Sequence, residues 1–106
     1  MKTQEPMFDY ISPGIDYGIK KGDCLTVLKK IEDGKFDLIL TSPPYNVGKS
    51  YETKNKIKKY LETQEEIIEE LVRTLSNKGN ICWQVGNYVD KGEVFPLDIF
   101  YYQIFK

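Results

Sequence analysis

Hydrophobic and polar positions alternate along this chain with a period that changes several times, and each change marks an element. Tyr17-Gly18-Ile19-Lys20-Lys21 has the pattern of a short strand ending at Gly22-Asp23. From Cys24 to Ile31 the apolar spacing becomes helical, with Leu25, Leu28 and Ile31 on one face and Cys24 and Val27 beside it. Glu32 to Lys35 closes that helix, and Gly34 is suited to a left-handed cap. Phe36 to Thr41 is a mostly apolar run with the length of a buried parallel strand. It stops at Ser42-Pro43-Pro44, where two prolines offer no amide to a ladder. Tyr45 to Tyr60 is polar, lysine-rich and aperiodic, which predicts a loop. Thr63 to Glu66 has capping-box spacing, and the helix expected after it carries Ile67, Ile68, Leu71, Val72 and Leu75 on one stripe up to Asn77-Lys78-Gly79. Asn80 to Gly86 alternates, with Ile81, Trp83 and Val85 on one side, as a strand does. That sharing of a face predicts a largely buried Trp83. Phe95 to Phe105 is apolar enough for a last helix.

The order is therefore strand, helix, strand, loop, helix, strand, helix. Such alternation predicts an α/β fold of three parallel strands with flanking helices and right-handed crossovers. Three strands are few for a doubly wound sheet, so the pattern is that of part of one, spanning residues 17–106. Residues 1–16 have mixed polarity and a Pro13-Gly14 turn, which predicts an N-terminal tail.

Charge narrows the chemistry. Fifteen basic residues face 16 acidic ones over 106 positions, and histidine is absent. Imidazole catalysis is excluded, and so is a binder of nucleic acid that works by net charge alone. Two cysteines without a CxxC or a histidine cannot complete a structural zinc site, so no metal is expected. Cys24 and Cys82 are expected to be reduced thiols, buried or half-buried. The first residues have no signal-peptide pattern and nowhere is there an apolar run of membrane-spanning length, which predicts a cytoplasmic protein with no membrane partner.

The most informative stretch is Asp37-Leu38-Ile39-Leu40-Thr41-Ser42-Pro43-Pro44-Tyr45-Asn46. It brings a hydroxyl, two prolines and an aromatic to the carboxyl end of a strand, where open α/β sheets bind ligands. An amino group conjugated to a heteroaromatic ring is a poor nucleophile because its lone pair is delocalised. Acceptors for both of its N–H bonds pull the nitrogen toward a tetrahedral geometry and release that pair. The Ser42 hydroxyl is one such acceptor. The Pro43 carbonyl is the other, held by the fixed φ of Pro43 and Pro44. Tyr45 offers a face on which an extruded base can stack. As plain structure, the same tetrapeptide is a stiff turn leaving a strand, and Asp23 is a helix N-cap. Val47-Gly48-Lys49-Ser50 imitates the end of a phosphate-binding loop, but Pro43 stands where that loop needs glycine. Lys49, Lys54, Lys56, Lys58 and Lys59 form a basic cluster, either a solvated loop or a phosphate contact, diluted by Glu52 and Glu62.

Together, Gly22-Asp23-Cys24-Leu25 and the run from Asp37 to Lys49 resemble the opening of the beta-class DNA amino-methyltransferases, which act on cytosine N4 or adenine N6. Asn80 to Asn87 is similar to that family's next strand. The resemblance implies part of a class I methyltransferase sheet and S-adenosyl-L-methionine (AdoMet) as cofactor. It implies double-stranded DNA with a flipped base as partner, and a setting in restriction–modification. Carried over by position, Ser42, Pro43, Pro44 and Tyr45 are catalytic, Asp23 and Cys24 lie on the cofactor side, and Asn46, Lys49 and Lys54 lie on the DNA side. A serine-first tetrapeptide tips the expected target to cytosine N4. The family also needs a Phe-x-Gly-x-Gly loop, and no two of the eight glycines here are two residues apart. The resemblance therefore implies an N-terminal fragment without target recognition, inactive by itself, or one half of an enzyme completed by a second chain. The alternatives are a catalytically silent remnant and an enzyme acting on RNA or on protein glutamine.

Overall fold

The computed structural model describes residues 10–11, 13–14, 17–44 and 57–106. The first two strands, β1 (Tyr10–Ile11) and β2 (Gly18–Ile19), pair antiparallel, Tyr10 opposite Ile19 and Ile11 opposite Gly18. Gly14, at φ 75°, lies in the turn between them. The strand expected at residues 17–21 thus does not join a parallel sheet. A close antiparallel partner needs only a short loop, whereas a parallel one needs a whole crossover.

Asp23 caps α1 (Cys24–Leu28), accepting at 3.1 Å from the Thr26 amide. The expected helix to Ile31 tightens early, with Lys30 and Ile31 donating to the carbonyls of Val27 and Leu28, three residues back. Gly34 is left-handed as expected, at φ 65°, but it turns the chain into the next strand and donates its N–H to the Arg73 carbonyl at 3.0 Å. It caps a later helix.

Strand β3 (Phe36–Thr41), helix α2 (Ile57–Thr74) and strand β4 (Leu75–Trp83) form a parallel β-α-β unit. Leu38 pairs with Asn80, Ile39 with Ile81, Leu40 with Cys82 and Thr41 with Trp83. Helix α2 begins well before the capping box, and Thr63 sits inside it, donating to the Lys59 carbonyl at 3.1 Å. The reason is Tyr60, only 4% exposed, whose burial fixes the first turn. The same helix ends at Thr74, so Leu75 and Asn77 to Gly79 belong to β4 and not to the helix. There the register slips between Phe36 and Leu38. Gly79 is required at this point, because a Cβ on it would lie 2.6 Å from the Leu75 Cδ1 and 3.1 Å from the Phe36 carbonyl oxygen.

A hairpin of β5 (Tyr88–Asp90) and β6 (Glu93–Phe95) follows, then α3 (Leu97–Phe105). The hairpin turns on Lys91 and Gly92, both at positive φ, as two-residue type I′ turns require. Among the described residues, the only parallel pairing is β3 with β4, so the three-stranded parallel sheet expected from sequence is replaced by one parallel pair and two antiparallel pairs. The core forms where α2, α3 and the hairpin meet: Tyr60, Ile68, Tyr88, Leu97 and Tyr101 are buried there. On the other side of β3 and β4, Leu38 and Leu40 remain 61% and 75% exposed. Parallel sheets normally carry cover on both faces; the described residues cover one. No described helix is long and apolar enough to cross a membrane.

Candidate active site

Strand β3 delivers Ser42, Pro43 and Pro44 at its carboxyl end, beside the end of β4, where the Gln84 amide donates to the Thr41 carbonyl at 3.0 Å. Ser42 is exposed and Pro43 buried. Among the described residues no donor occupies the Ser42 hydroxyl or the Pro43 carbonyl. Two acceptor oxygens thus stand at this strand end without a partner among the described residues.

The next carbonyl is held firmly. Tyr60 donates its hydroxyl to the Pro44 carbonyl, and the Tyr60 and Tyr101 hydroxyl oxygens lie 2.6 Å apart. A carbonyl only accepts, so the order of donation is settled: Tyr101 to Tyr60 to Pro44. The two rings meet edge-on, with centroids 6.3 Å apart. Burial first, and the hydrogen bond with Tyr60 second, hold the Tyr101 phenol protonated well above the usual tyrosine range. Sequence reasoning assigned Tyr60 to a loop. The spacing of Tyr60, Gln64 and Ile68 at four-residue steps was the available signal.

A cleft of about 420 Å³ opens beside the tetrapeptide, with Gly22 and Cys24 on one rim, Ser42, Pro43 and Pro44 on another, and Gln64 of α2 in its wall. Ile39, Leu71 and Trp83 supply much of its apolar lining. Trp83 is largely covered, packed against the core as its strand face predicts, with its ring tilted on that of Tyr101 and edge-on to that of Phe105 at centroid distances of 5.3 and 5.5 Å. Its indole N–H is buried without an acceptor among the described residues.

Asp23 is exposed and uses one carboxylate oxygen, Oδ2, for both the Thr26 amide and the Thr26 hydroxyl, each at 3.1 Å. The cap is therefore real, and among the described residues Oδ1 takes no hydrogen bond. Both cysteines are exposed, against the expectation of burial. Cys24 opens α1 and Cys82 alternates with Trp83 to the uncovered face of β4, so neither position packs inward. Partial burial, then the charge of Asp23, push the Cys24 thiol up, opposed by hydrogen bonds from the Leu25 and Cys24 amides. It is a poor nucleophile at neutral pH. Tyr45, Asn46, Lys49 and Lys54 lie outside the described residues, whereas Lys58 and Lys59 are exposed on the first turn of α2.

Arg73 is a further residue that sequence reasoning missed. Its guanidinium donates to the Leu28 and Ile31 carbonyls at 2.8 Å each, to Asp33 at 2.6 Å and to Glu70 at 2.7 Å. It ties the last turn of α2 to the frayed end of α1, and so holds the two walls of the cleft together.

Comparison with known proteins settles the lineage. The family described as DNA methylase matches residues 36–106, from the first residue of β3 to the last residue of the chain. The chain belongs to this DNA methylase family of amino-methyltransferases. The Type II methyltransferase M.BglII of Bacillus subtilis is 45% identical over 89 residues, covering 83% of this chain and 25% of that protein. M.HpaI of Haemophilus parainfluenzae is 42% identical over 62 residues, covering 56% of this chain and 20% of its own length. M.ScaI of Streptomyces caespitosus is 38% identical over 79 residues, covering 72% of this chain and 26% of its own length. The chain thus spans about a quarter of the length of these relatives.

Proposed function

We propose that these residues form the catalytic tetrapeptide portion of a DNA methyltransferase of a restriction–modification system, one that methylates an exocyclic amino group of an extruded base. Cytosine N4 is the favoured target over adenine N6. The observation that carries this reading is the pair of available acceptors, the Ser42 hydroxyl and the Pro43 carbonyl, at the end of β3 on the rim of the cleft. AdoMet, when bound, supplies a methyl group on a positively charged sulfur. The cleft suits it: its volume is within the roughly 300–1,000 Å³ usual for small-molecule sites, its lining is mainly apolar, and Gly22 and Cys24 line one rim; Asp23, between them in the chain, is assigned to the cofactor on the sequence pattern.

The chain's own residues then do three things. Ser42 and Pro43 accept the two N–H bonds of the target amine and orient its lone pair. The Tyr60 hydroxyl fixes the Pro44 carbonyl, so the tetrapeptide leaves the strand at a set angle. Tyr45 supplies the stacking face, a role resting on the sequence pattern. Asn46, Lys49 and Lys54 are assigned to the DNA on the same basis. The length of the relatives supports leaving target recognition and the glycine loop to other segments, on the same polypeptide or on a second chain. The 106-residue chain alone is then expected to transfer almost no methyl label from AdoMet to mixed-sequence DNA. The reaction is assigned to the cytoplasm, where the DNA is.

The test is a chimera of M.BglII in which this chain replaces the segment it matches. Its methylated DNA is digested to nucleosides and the product identified by mass. N4-methylcytosine is expected; N6-methyladenine without N4-methylcytosine overturns the base assignment, and no methylated base overturns the enzymatic one. Tyr45→Ala should abolish most of the activity, and Ser42→Ala less, if the Pro43 carbonyl carries most of the load.

A further inference from the structure

Gln64 is the unexplained residue of the cleft. It lies in the middle of α2, on the face that carries Tyr60 and Ile68 into the core, and it is 4% exposed. Its side chain lines the cleft beside Pro43 and Pro44. Among the described residues nothing hydrogen-bonds to its carboxamide. The other buried polar residue among the described ones, Thr74, is 0% exposed and donates to the Leu71 carbonyl at 2.9 Å. Gln64 therefore stands apart. The carboxamide atoms of Gln64 are not among the buried unpaired ones, so they reach the space of the cleft, and a polar group in so apolar a wall gains less than an apolar residue of similar length would. A glutamine here makes physical sense if its partners arrive with a ligand.

The chemistry of those partners follows from the group. A carboxamide carries one acceptor and two donors in a plane, and it pairs bidentately with an edge that presents an amino hydrogen next to a ring nitrogen. Cytosine and adenine both have such an edge. The surrounding wall of Ile39, Leu71 and Trp83 is apolar and suits the faces of a heteroaromatic ring. We propose that Gln64 is the specificity-determining residue of this cleft and that it recognises the aminated edge of a nucleobase. The base comes from one of two sources, the adenine of the cofactor or the target base of the DNA. The inference rests on the function proposed above for the same site.

The experiment uses the full 106-residue chain, isotope-labelled so that side-chain amide signals are visible. S-adenosyl-L-homocysteine and 2′-deoxycytidine are titrated separately. The Gln64 amide pair, assigned by its loss in Gln64→Met, is expected to shift with one of the two, and that arm names the source. Gln64→Met, which keeps the length and removes the dipole, should weaken that probe by roughly tenfold, the worth of one bidentate base contact. Gln64→Glu should do the same, because a carboxylate offers no donor to the ring nitrogen. A second reading is independent of any ligand: Gln64→Met should raise the melting temperature of the ligand-free chain, since it puts an apolar group in the apolar wall of the cleft. A purely structural glutamine would lower it. A fall in melting temperature with unchanged probe affinity overturns the proposal, as does failure of the wild-type chain to bind either probe at millimolar concentration. The enzymatic reading fails separately: a chimera that makes no methylated base refutes it even where Gln64 responds to a probe.

Discussion

Tyr60 and Tyr101 offer the sharpest test of how the tetrapeptide is held. The two phenols are 4% and 2% exposed and form one chain of donation ending on Pro44. Tyr101→Phe removes one neutral hydrogen bond and leaves the donation from Tyr60 to Pro44 intact, for a cost of about 1 kcal/mol. Tyr60→Phe does more. It deprives the Pro44 carbonyl of its donor and strands a buried Tyr101 hydroxyl, which together should cost about 2–3 kcal/mol. In the double variant no hydroxyl is left stranded, so its loss should fall below the sum of the two by about 1 kcal/mol. Urea unfolding of the four proteins, followed by far-UV circular dichroism, measures this. The pH dependence supplies a second measurement. The folded state keeps Tyr101 protonated, so its contribution is complete below the ordinary tyrosine pKa of about 10 and is lost as pH climbs beyond it. Tyr101→Phe should flatten that decline. Additive single-variant losses, or an alkaline decline that Tyr101→Phe leaves unaltered, would refute the relay.

Other parts of the fold make equally definite claims. Gly79→Ala should destabilise by about 1–3 kcal/mol in the same urea assay, because the new methyl meets Leu75 and the Phe36 carbonyl; an unchanged midpoint would contradict the register slip. Asp23→Asn keeps the helix cap but removes a charge that raises the Cys24 thiol, so iodoacetamide should label Cys24 faster at pH 8; slower labelling would mean the charge does not act there. Arg73→Lys cannot reproduce a fork reaching four partners, so the Gly34 amide, which donates to the Arg73 carbonyl, should exchange with deuterium markedly faster; unchanged exchange would show that the guanidinium does not hold this corner.

Strand β3 and the tetrapeptide were legible in the sequence because a mostly apolar run of six residues suits a parallel strand and two prolines can only end it, although Leu38 and Leu40 are exposed where burial was expected. The apolar stripe of α2 was legible for the same reason, through Ile67, Ile68 and Leu71. The start of α2 was not, since Tyr60 and Gln64 look polar in a lysine-rich stretch, and only tertiary contact with Tyr101 and the cleft buries them. A local capping box at Thr63 lost to that contact. The β5–β6 hairpin carried a readable sign in Lys91-Gly92 between short alternating runs, yet strands of three residues give almost no period to detect. Strand β2 was assigned to a parallel sheet because element order says nothing of which neighbour a two-residue strand will choose.

The hairpin and α3 are coupled to the tetrapeptide although they contribute no atom to it. Leu97, 0% exposed, anchors the first turn of α3, and Tyr88 and Phe95 of the hairpin stack with centroids 5.4 Å apart in the same core. That packing fixes α3, and α3 presents Tyr101, which holds Tyr60, which holds Pro44. The family match from Phe36 to Lys106 contains every member of this sequence of contacts. Gly22 and Cys24, by contrast, lie before it and line the cleft at the start of α1, which Arg73 ties to α2. The two rims of the cleft are therefore held by different devices, an aromatic core for the Ser42–Pro44 rim and one guanidinium for the Gly22–Cys24 rim. Loosening one rim should leave the other in place: Leu97→Ala, at a cost of about 2–5 kcal/mol, should disturb the amide resonances of Ser42 and Trp83 more than those of Cys24 and Thr26, and Arg73→Lys should do the reverse. Equal disturbance of both sets by either variant would mean that the cleft is a single rigid unit, and the separate control argued for its two rims would be wrong.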